Sequence, residues 1–492
     1  MSNVSVESAG MADTDTPIGP AAEMAGGPAL DRPQEECGVF GIYAPGEDVS
    51  RLTYFGLYAL QHRGQESAGI ACGDGSRLVV KRAMGLVSQV FDEESLLALR
   101  GRLAIGHTRY STTGSSLSCN AQPVLLSKGD DGFALGHNGN LVNARALRDR
   151  LLDEGVRFES TTDSEVIAQL VLTAPGPTWA ARIARALPKL LGAYSLVMAT
   201  PDALYAARDP LGVRPLCLGR LDDGWVIASE TCALDTIGAT FTREVEPGEL
   251  LRVDEQGVSS HHFAPARPRL CSFEYVYFAR PDSIVDGRSV YDVRVESGRL
   301  LAREHPAEAD VVIPVPDSAI PAAVGYAAES GIPYGDGLIK NRYIGRTFIA
   351  PDQRLRDVGI RLKFNPLSSQ LKDKRVVVIE DSIVRGSTSR PIVHLLRKAG
   401  AREVHLRISS PPYRNPCYLG MDTGRREELI ASRLTVDEIR AHIGADSLGY
   451  LSVGGLLQAM GRTKASSCLA CLDGDYPLPV QMEMEMDKLA LE

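Results

Sequence analysis

The chain has 492 residues, enough for two or three domains with sizeable cores. Apolar residues make up 44% and charged residues 23%, an ordinary globular balance, and a net charge of −9 without a long basic run gives no electrostatic case for nucleic acid or an anionic membrane as partner. No stretch approaches the roughly 20 continuous apolar residues of a membrane span.

Residues 1–36 are rich in Ala, Gly, Pro, Ser and acidic residues. They lack a basic start and an apolar centre, so they are not a secretory signal, and their composition favours disorder. The segment ends DRPQEE, directly before Cys37 in CGVFGI. A cysteine freed as a new N-terminus can use its own α-amino group as general base, since that group has an unperturbed pKa of about 7.7–8.0. The same hexapeptide also reads as a buried structural cysteine at a strand start.

Four more motifs follow: YALQHRGQESAGI at 58–70, GHTRYSTTG at 106–114, GHNGN at 136–140 and STTDSE at 160–165. Arg109 alone reads as a surface salt bridge, and Asn138-Gly139 alone as a hairpin turn. With CGVFGI, the set resembles the class II glutamine amidotransferases, which are N-terminal-nucleophile hydrolases, over roughly residues 37–260. That resemblance implies a layered αββα glutaminase with Cys37 as nucleophile. It assigns the oxyanion to the Asn138 side-chain amide and the Gly139 N–H. Arg109 then forks the carboxylate of glutamine and Asp163 pairs with its ammonium. His62, His107 and His137 read as structural or substrate-lining residues. Apolar strands such as Leu196–Ala199 and Trp225–Ser229 suit layered sheets, and APARP around Pro265–Pro268 reads as a linker.

The second half alternates strands and helices, which predicts a parallel α/β sheet with ligands at the strand carboxyl ends. DVVIPVP (310–316) ends at Asp317-Ser318. PAAVGYAAES is a helix closed by Gly331. VHLRISSP (404–411) is a later strand. Between them lies KRVVVIEDSIVRGSTSR (374–390). It places Glu380 and Asp381 at a strand end, before a Gly/Ser/Thr loop that opens a helix and suits a phosphate. A buried strand followed by a capped helix is the plainer reading. The stretch resembles the phosphoribosyl-pyrophosphate (PRPP) signature of the type I phosphoribosyltransferases. The resemblance lays Glu380 and Asp381 along the ribose hydroxyls. It wraps Arg385, Gly386, Ser387 and Thr388 round the 5-phosphate, and puts Asp317 and Ser318 at the pyrophosphate. Mg²⁺ would involve Ser318, Glu380 and Asp381. Lys340–Asp352, with Lys340, Arg342, Gly345 and Arg346, matches the basic loop that closes over PRPP. Relatives often carry Asp-Asp where this chain has Glu-Asp, and the carboxylates are kept.

Nine cysteines are too few and too scattered for a disulfide framework and suit the cytoplasm. The C-x-x-C pair Cys468 and Cys471, with Cys271 and Cys417, could hold zinc or an iron–sulfur cluster, and a redox dithiol is a third option. The order of glutaminase then phosphoribosyltransferase is similar to that of the glutamine PRPP amidotransferase family. One branch of that family has a cleaved propeptide and a [4Fe–4S] cluster. For that branch the ligands implied are Cys271, Cys417, Cys468 and Cys471, with Cys232 as the alternative first ligand.

The organisation expected is a propeptide at 1–36, a glutaminase at 37–260, a phosphoribosyltransferase at 270–445 and a cluster-bearing C-terminal segment at 446–492. The family implies synthesis of 5-phosphoribosylamine at the start of purine synthesis, inhibition by purine nucleotides and a homotetramer. The competing readings are a PRPP-sensing regulator and a glutaminase feeding another acceptor.

Overall fold

The computed structural model describes residues 37–111, 113–128, 131–341, 363–421, 423, 425–479 and 491. Strand β1 (Gly38–Tyr43) lies at the centre of a seven-stranded antiparallel sheet. It pairs with β2 (Leu103–Arg109) on one side and with Gly224–Ala228 on the other. A second sheet of six strands contains β3 (Asp131–Leu141) beside β4 (Gly192–Ala199), in the register Asn138 to Ser195 and Gly139 to Tyr194.

Val39, Ile105, Ala134, Val197 and Leu251 fill the space between the two sheets. Gly41 permits their close approach, because a Cβ there would stand 2.6 Å from Val197 Cγ1. Helix α1 (Val49–Ala59) packs on the outer face of the first sheet through Leu57 against Phe40 and Ile70. Helix α2 (Asp163–Thr173) packs Val166 and Ile167 on the second, against Phe133 and Leu135. Every residue of β1 and β4 is buried, as strands between covered faces require. This is the expected αββα arrangement.

The second domain is built on a four-stranded parallel sheet in the order β5 (Val311–Pro314), β6 (Arg375–Glu380), β7 (Glu403–Ile408) and β8 (Ser447–Tyr450). The apolar run Val376–Ile379 is fully buried within β6. Helices α3 (Val290–Glu304) and α4 (Ile320–Ser330) pack together on this sheet, and α4 stops at Gly331 with φ +73. Helix α5 (Ser389–Lys398) follows the loop after β6.

Three features differ from expectation. First, β8 lies beyond residue 445, so the parallel sheet takes in the start of the C-terminal segment. Second, the stretch after Phe263 is docked, not free. The Arg267 N–H donates to Pro210 O at 2.8 Å and the Arg269 N–H to Leu211 O at 2.6 Å. Third, Lys340 ends a short strand, Leu338–Lys340, paired with Phe364–Pro366. The rest of the basic loop, with Arg342, Gly345 and Arg346, lies outside the described residues, as does the segment 1–36.

The two domains share a core. Ala193, Leu211 and Val213 of the first pack with Phe273, Tyr413 and Leu419 of the second. Among the described residues no helix is long and apolar enough to cross a membrane.

Candidate active sites

Cys37 stands at the entry to β1 and is 7% exposed. Its thiol donates to the carbonyl of Tyr110 at 3.3 Å. Burial pushes the thiol up to about 12, against the pull of the Tyr110 contact and the Arg109 charge. Glu66 and Asp163 act on it as well, so the predicted nucleophile and both predicted glutamine contacts share one neighbourhood.

Arg109 closes β2 and is 2% exposed. Its guanidinium donates to the carbonyls of Thr113, Gly114 and Ser115 at 3.1–3.3 Å, and the nearest carboxylate, Glu66, is 3.8 Å away. A buried cation held mainly by neutral carbonyls is set for an incoming carboxylate. Asp163 begins α2, where the helix dipole favours an anion. Burial alone would raise its carboxyl, but the His137 side chain and the Leu141 N–H, 3.0 Å away, hold it below the usual range.

Asn138 supplies the deciding geometry. Both polar atoms of its side chain are buried and have no hydrogen-bond partner among the described residues. An orphaned amide is costly in a protein interior and fits an acceptor that forms only during reaction. Gly139 beside it has φ +145, and a Cβ there would stand 2.0 Å from Ala193 O, so only glycine fits.

The histidines have structural partners, as expected. His107 bonds the His137 carbonyl at 3.0 Å, and burial pushes its imidazole down to about 3. His137 faces Ser164 and Asp163, and His62 contacts Glu230 at 2.7 Å.

At the other site the strand ends converge as the topology requires. Ser318 Oγ, after β5, donates to Asp381 Oδ2, just after β6, and Ser382 Oγ donates to Asp381 Oδ1 at 2.6 Å. Lys340 forms an ion pair with Asp317. Glu380 and Asp381 are 3% and 1% exposed, which is unusual for adjacent acids without a ligand. Gly386 turns the loop at φ +79, leaving Ser387 exposed and Thr388 at the start of α5. Arg385 donates to Glu428 at 2.8 Å. Arg346, predicted to join this site, lies outside the described residues.

Comparison with known proteins fits this geometry. A glutamine amidotransferase domain model matches residues 107–236, and a phosphoribosyl transferase domain model matches residues 296–418. The chain is 54% identical to an amidophosphoribosyltransferase of Mycobacterium bovis over 94% of its own length and 90% of that protein. It is 49% identical to the Bacillus subtilis protein of the same name, over 91% and 95% of the two chains. A solved B. subtilis glutamine PRPP amidotransferase, complexed with ADP and GMP, superposes with a TM-score of 0.86 at 48% identity, covering 91% of this chain and 98% of that one. A structure described as the allosteric regulatory enzyme of purine biosynthesis gives 0.87 at 49% identity, covering 91% and 97%.

The chain belongs to the amidophosphoribosyltransferase family.

The fold places the four remaining cysteines of interest around one cavity. Cys271 and Cys468 sit opposite each other in a short parallel pairing, and Cys417 and Cys471 also line the cavity, with Arg214, Tyr418 and Tyr476 among its other walls. Burial raises the thiols of Cys468 and Cys471, and the neighbouring sulfurs raise them further. Among the described residues no three His, Cys, Asp or Glu side chains close on a single ion. Four thiols lining one cavity are a soft donor set of the kind that takes zinc or an iron–sulfur cluster. Cys232 is elsewhere, its thiol facing Glu230.

Several residues of the site gave no individual signal in the sequence. Arg63 is 1% exposed, donates to the Cys37 carbonyl at 3.2 Å and pairs with Glu230 and Glu274. Arg214 meets Glu274 at 3.5 Å and donates to Leu419 O at 2.8 Å. Arg294, on α3, is buried and carries its charge near Asp381. Arg63 lies in the YALQHRGQESAGI motif, but its burial and its partner from the other domain, Glu274, become visible only in the fold.

Proposed function

We propose that the chain makes 5-phosphoribosylamine, glutamate and pyrophosphate from PRPP, glutamine and water, in two coupled steps at two sites. The observation that carries this reading is the orphaned Asn138 amide beside Gly139, on a strand that packs against the one Cys37 opens, within one chain and one shared core with the strand that carries Glu380.

Arg109 and Asp163 hold the carboxylate and ammonium of glutamine. The Cys37 sulfur attacks the side-chain amide carbon, and the oxyanion that forms is met by Asn138 and the Gly139 N–H. The C–N bond breaks as the α-amino group passes the thiol's proton to the leaving nitrogen, which departs as ammonia, and water then hydrolyses the glutamyl thioester to glutamate. Cleavage between Glu36 and Cys37 supplies the base, a free α-amino group on the nucleophilic residue itself. Burial pushes the Cys37 thiol up, which favours a base close at hand to take its proton during attack.

At the second site Glu380 and Asp381 hold the ribose hydroxyls, and the Gly386–Thr388 loop with the start of α5 holds the 5-phosphate. Ammonia forms the new bond at C1 as the bond to pyrophosphate breaks. Mg²⁺ at Ser318, Glu380 and Asp381 would supply charge neutralisation for the departing pyrophosphate. Lys340 adds a cation on that side. No pocket for a base is needed, because the acceptor is a small neutral molecule.

The four-thiol cavity supports a [4Fe–4S] cluster held by Cys271, Cys417, Cys468 and Cys471. It would tie the C-terminal segment to the start of the second domain. Regulation by purine nucleotides, a homotetramer and a cytoplasmic location follow from the family.

The test is Cys37→Ala. It should abolish glutamine-dependent pyrophosphate release and leave ammonia-dependent release intact. Equal activity with glutamine in the variant would overturn the reading.

A further inference from the structure

We propose that Asn140 is a positioning residue that locks the glutamine site to the segment Cys417–Gly420 of the second domain. This rests on the glutaminase reading of Cys37 and deepens it.

Asn140 is 5% exposed and lies two residues beyond Asn138 on β3, so both side chains emerge on the same face. Its two amide atoms are divided between the domains. Oδ1 accepts from Thr113 Oγ1 at 2.7 Å, and Nδ2 donates to Tyr418 O at 3.1 Å. Thr113 belongs to the turn whose carbonyls hold the Arg109 guanidinium. One planar amide therefore fixes the glutamine clamp against a backbone carbonyl from the other domain.

A second contact runs in parallel. Gly420 has φ +117 and packs directly on Gly139; a Cβ on Gly420 would stand 3.3 Å from Gly139 C and 2.9 Å from Arg214 Nη2. Arg214 in turn donates to Leu419 O. The residues between thus have three anchors: the Tyr418 carbonyl, the Leu419 carbonyl and Gly420 itself. The segment begins at Cys417, whose sulfur accepts from the Leu419 N–H at 3.4 Å. The stretch that ends the four-thiol cavity is the same stretch that backs the oxyanion glycine.

Neither Asn140 nor Gly420 touches a reacting atom. Their effect is on where Arg109 and Gly139 stand when glutamine arrives. A displacement of about 1 Å at such a site costs up to ~100-fold in rate. The second site receives ammonia whatever its source, so it should be unaffected.

The experiment compares glutamine and ammonia as nitrogen donors in the full-length protein. Asn140→Asp keeps the acceptor for Thr113 but turns the donor toward Tyr418 O into an acceptor. Gly420→Ala adds the crowding methyl at Gly139. Each variant should raise KM for glutamine and lower glutamine-dependent kcat by ~10- to 100-fold. PRPP-dependent pyrophosphate release with ammonia should stay within about twofold of the parent. Unchanged glutamine kinetics in both variants would overturn the proposal. So would an equal loss with both donors in both variants, which marks a structural role. The glutaminase reading fails separately, if the parent protein releases no glutamate from glutamine.

Discussion

Arg63 and Glu274 form a salt bridge at 2.9 Å across the domain boundary, with both side chains closed to solvent. The same arginine holds the Cys37 carbonyl, and the same glutamate meets Arg214. A buried pair is weak evidence for net stability, but removing one partner leaves a stranded charge. Glu274→Gln keeps the shape and leaves Arg63 and Arg214 undercompensated. Denaturant unfolding should show a loss of about 3 kcal/mol. Glutamine turnover should fall with it, because Arg63 anchors the nucleophile's backbone.

Asn138→Ala removes the orphaned amide without leaving a partner behind. Glutamine-dependent kcat should drop by about 10²- to 10³-fold, the usual cost of one oxyanion donor. Folded stability should hold or rise slightly, since a buried unsatisfied group disappears. Steady-state kinetics and thermal unfolding of the same sample check both parts.

Acid should weaken the fold through His107. Burial lowers its imidazole from 6.5 to about 3. The unfolded chain binds that proton near 6.5 and the folded chain does not until about 3. The stability it contributes is therefore present above 6.5 and is lost as pH falls through this window, at up to ~1.4 kcal/mol per pH unit. Glu230, whose carboxyl is held well below its usual 4.5 by His62 and Arg63 despite burial, adds a further loss below that pH. Unfolding midpoints from pH 7 to 4 should decline with a slope that steepens near 4.5. His107→Gln keeps a donor for the His137 carbonyl and should flatten the upper part.

Metal analysis separates the sulfur ligands. The parent protein should contain iron and acid-labile sulfide in equal amounts with broad visible absorption. Cys417→Ser or Cys471→Ser should lose the absorption, and Cys232→Ser should keep it, because Cys232 faces Glu230 and not the cavity. Zinc without sulfide in the parent would contradict the cluster.

Much of this was legible before the fold. The continuous apolar run at 376–379 placed β6, and the acids Glu380 and Asp381 fell at its carboxyl end by the rules of parallel sheets. GHNGN named Asn138 and Gly139, whose geometry is local: a positive φ and a side chain with no partner among the described residues. The residues that escaped act over long separations. Arg63 reaches Glu274, and Asn140 reaches Tyr418, 278 positions away. Sequence periodicity carries no information on such pairs, since it reports which face a residue occupies and not which domain packs there. The docked stretch after Phe263 escaped for a related reason. Pro and Ala signal a loop, while the backbone bonds to Pro210 and Leu211 depend on a turn elsewhere in the chain. β8 was short, and its assignment to the sheet required β7 as neighbour.

The most direct test of coupling is to measure glutamate and pyrophosphate together, on protein whose N-terminus has been read by mass spectrometry. The account predicts a mature chain that starts at Cys37, glutamine hydrolysis strongly stimulated by PRPP, and one pyrophosphate for each glutamate. A fully active chain that still begins at Met1, or glutamate released at the same rate without PRPP and with no pyrophosphate, would contradict it.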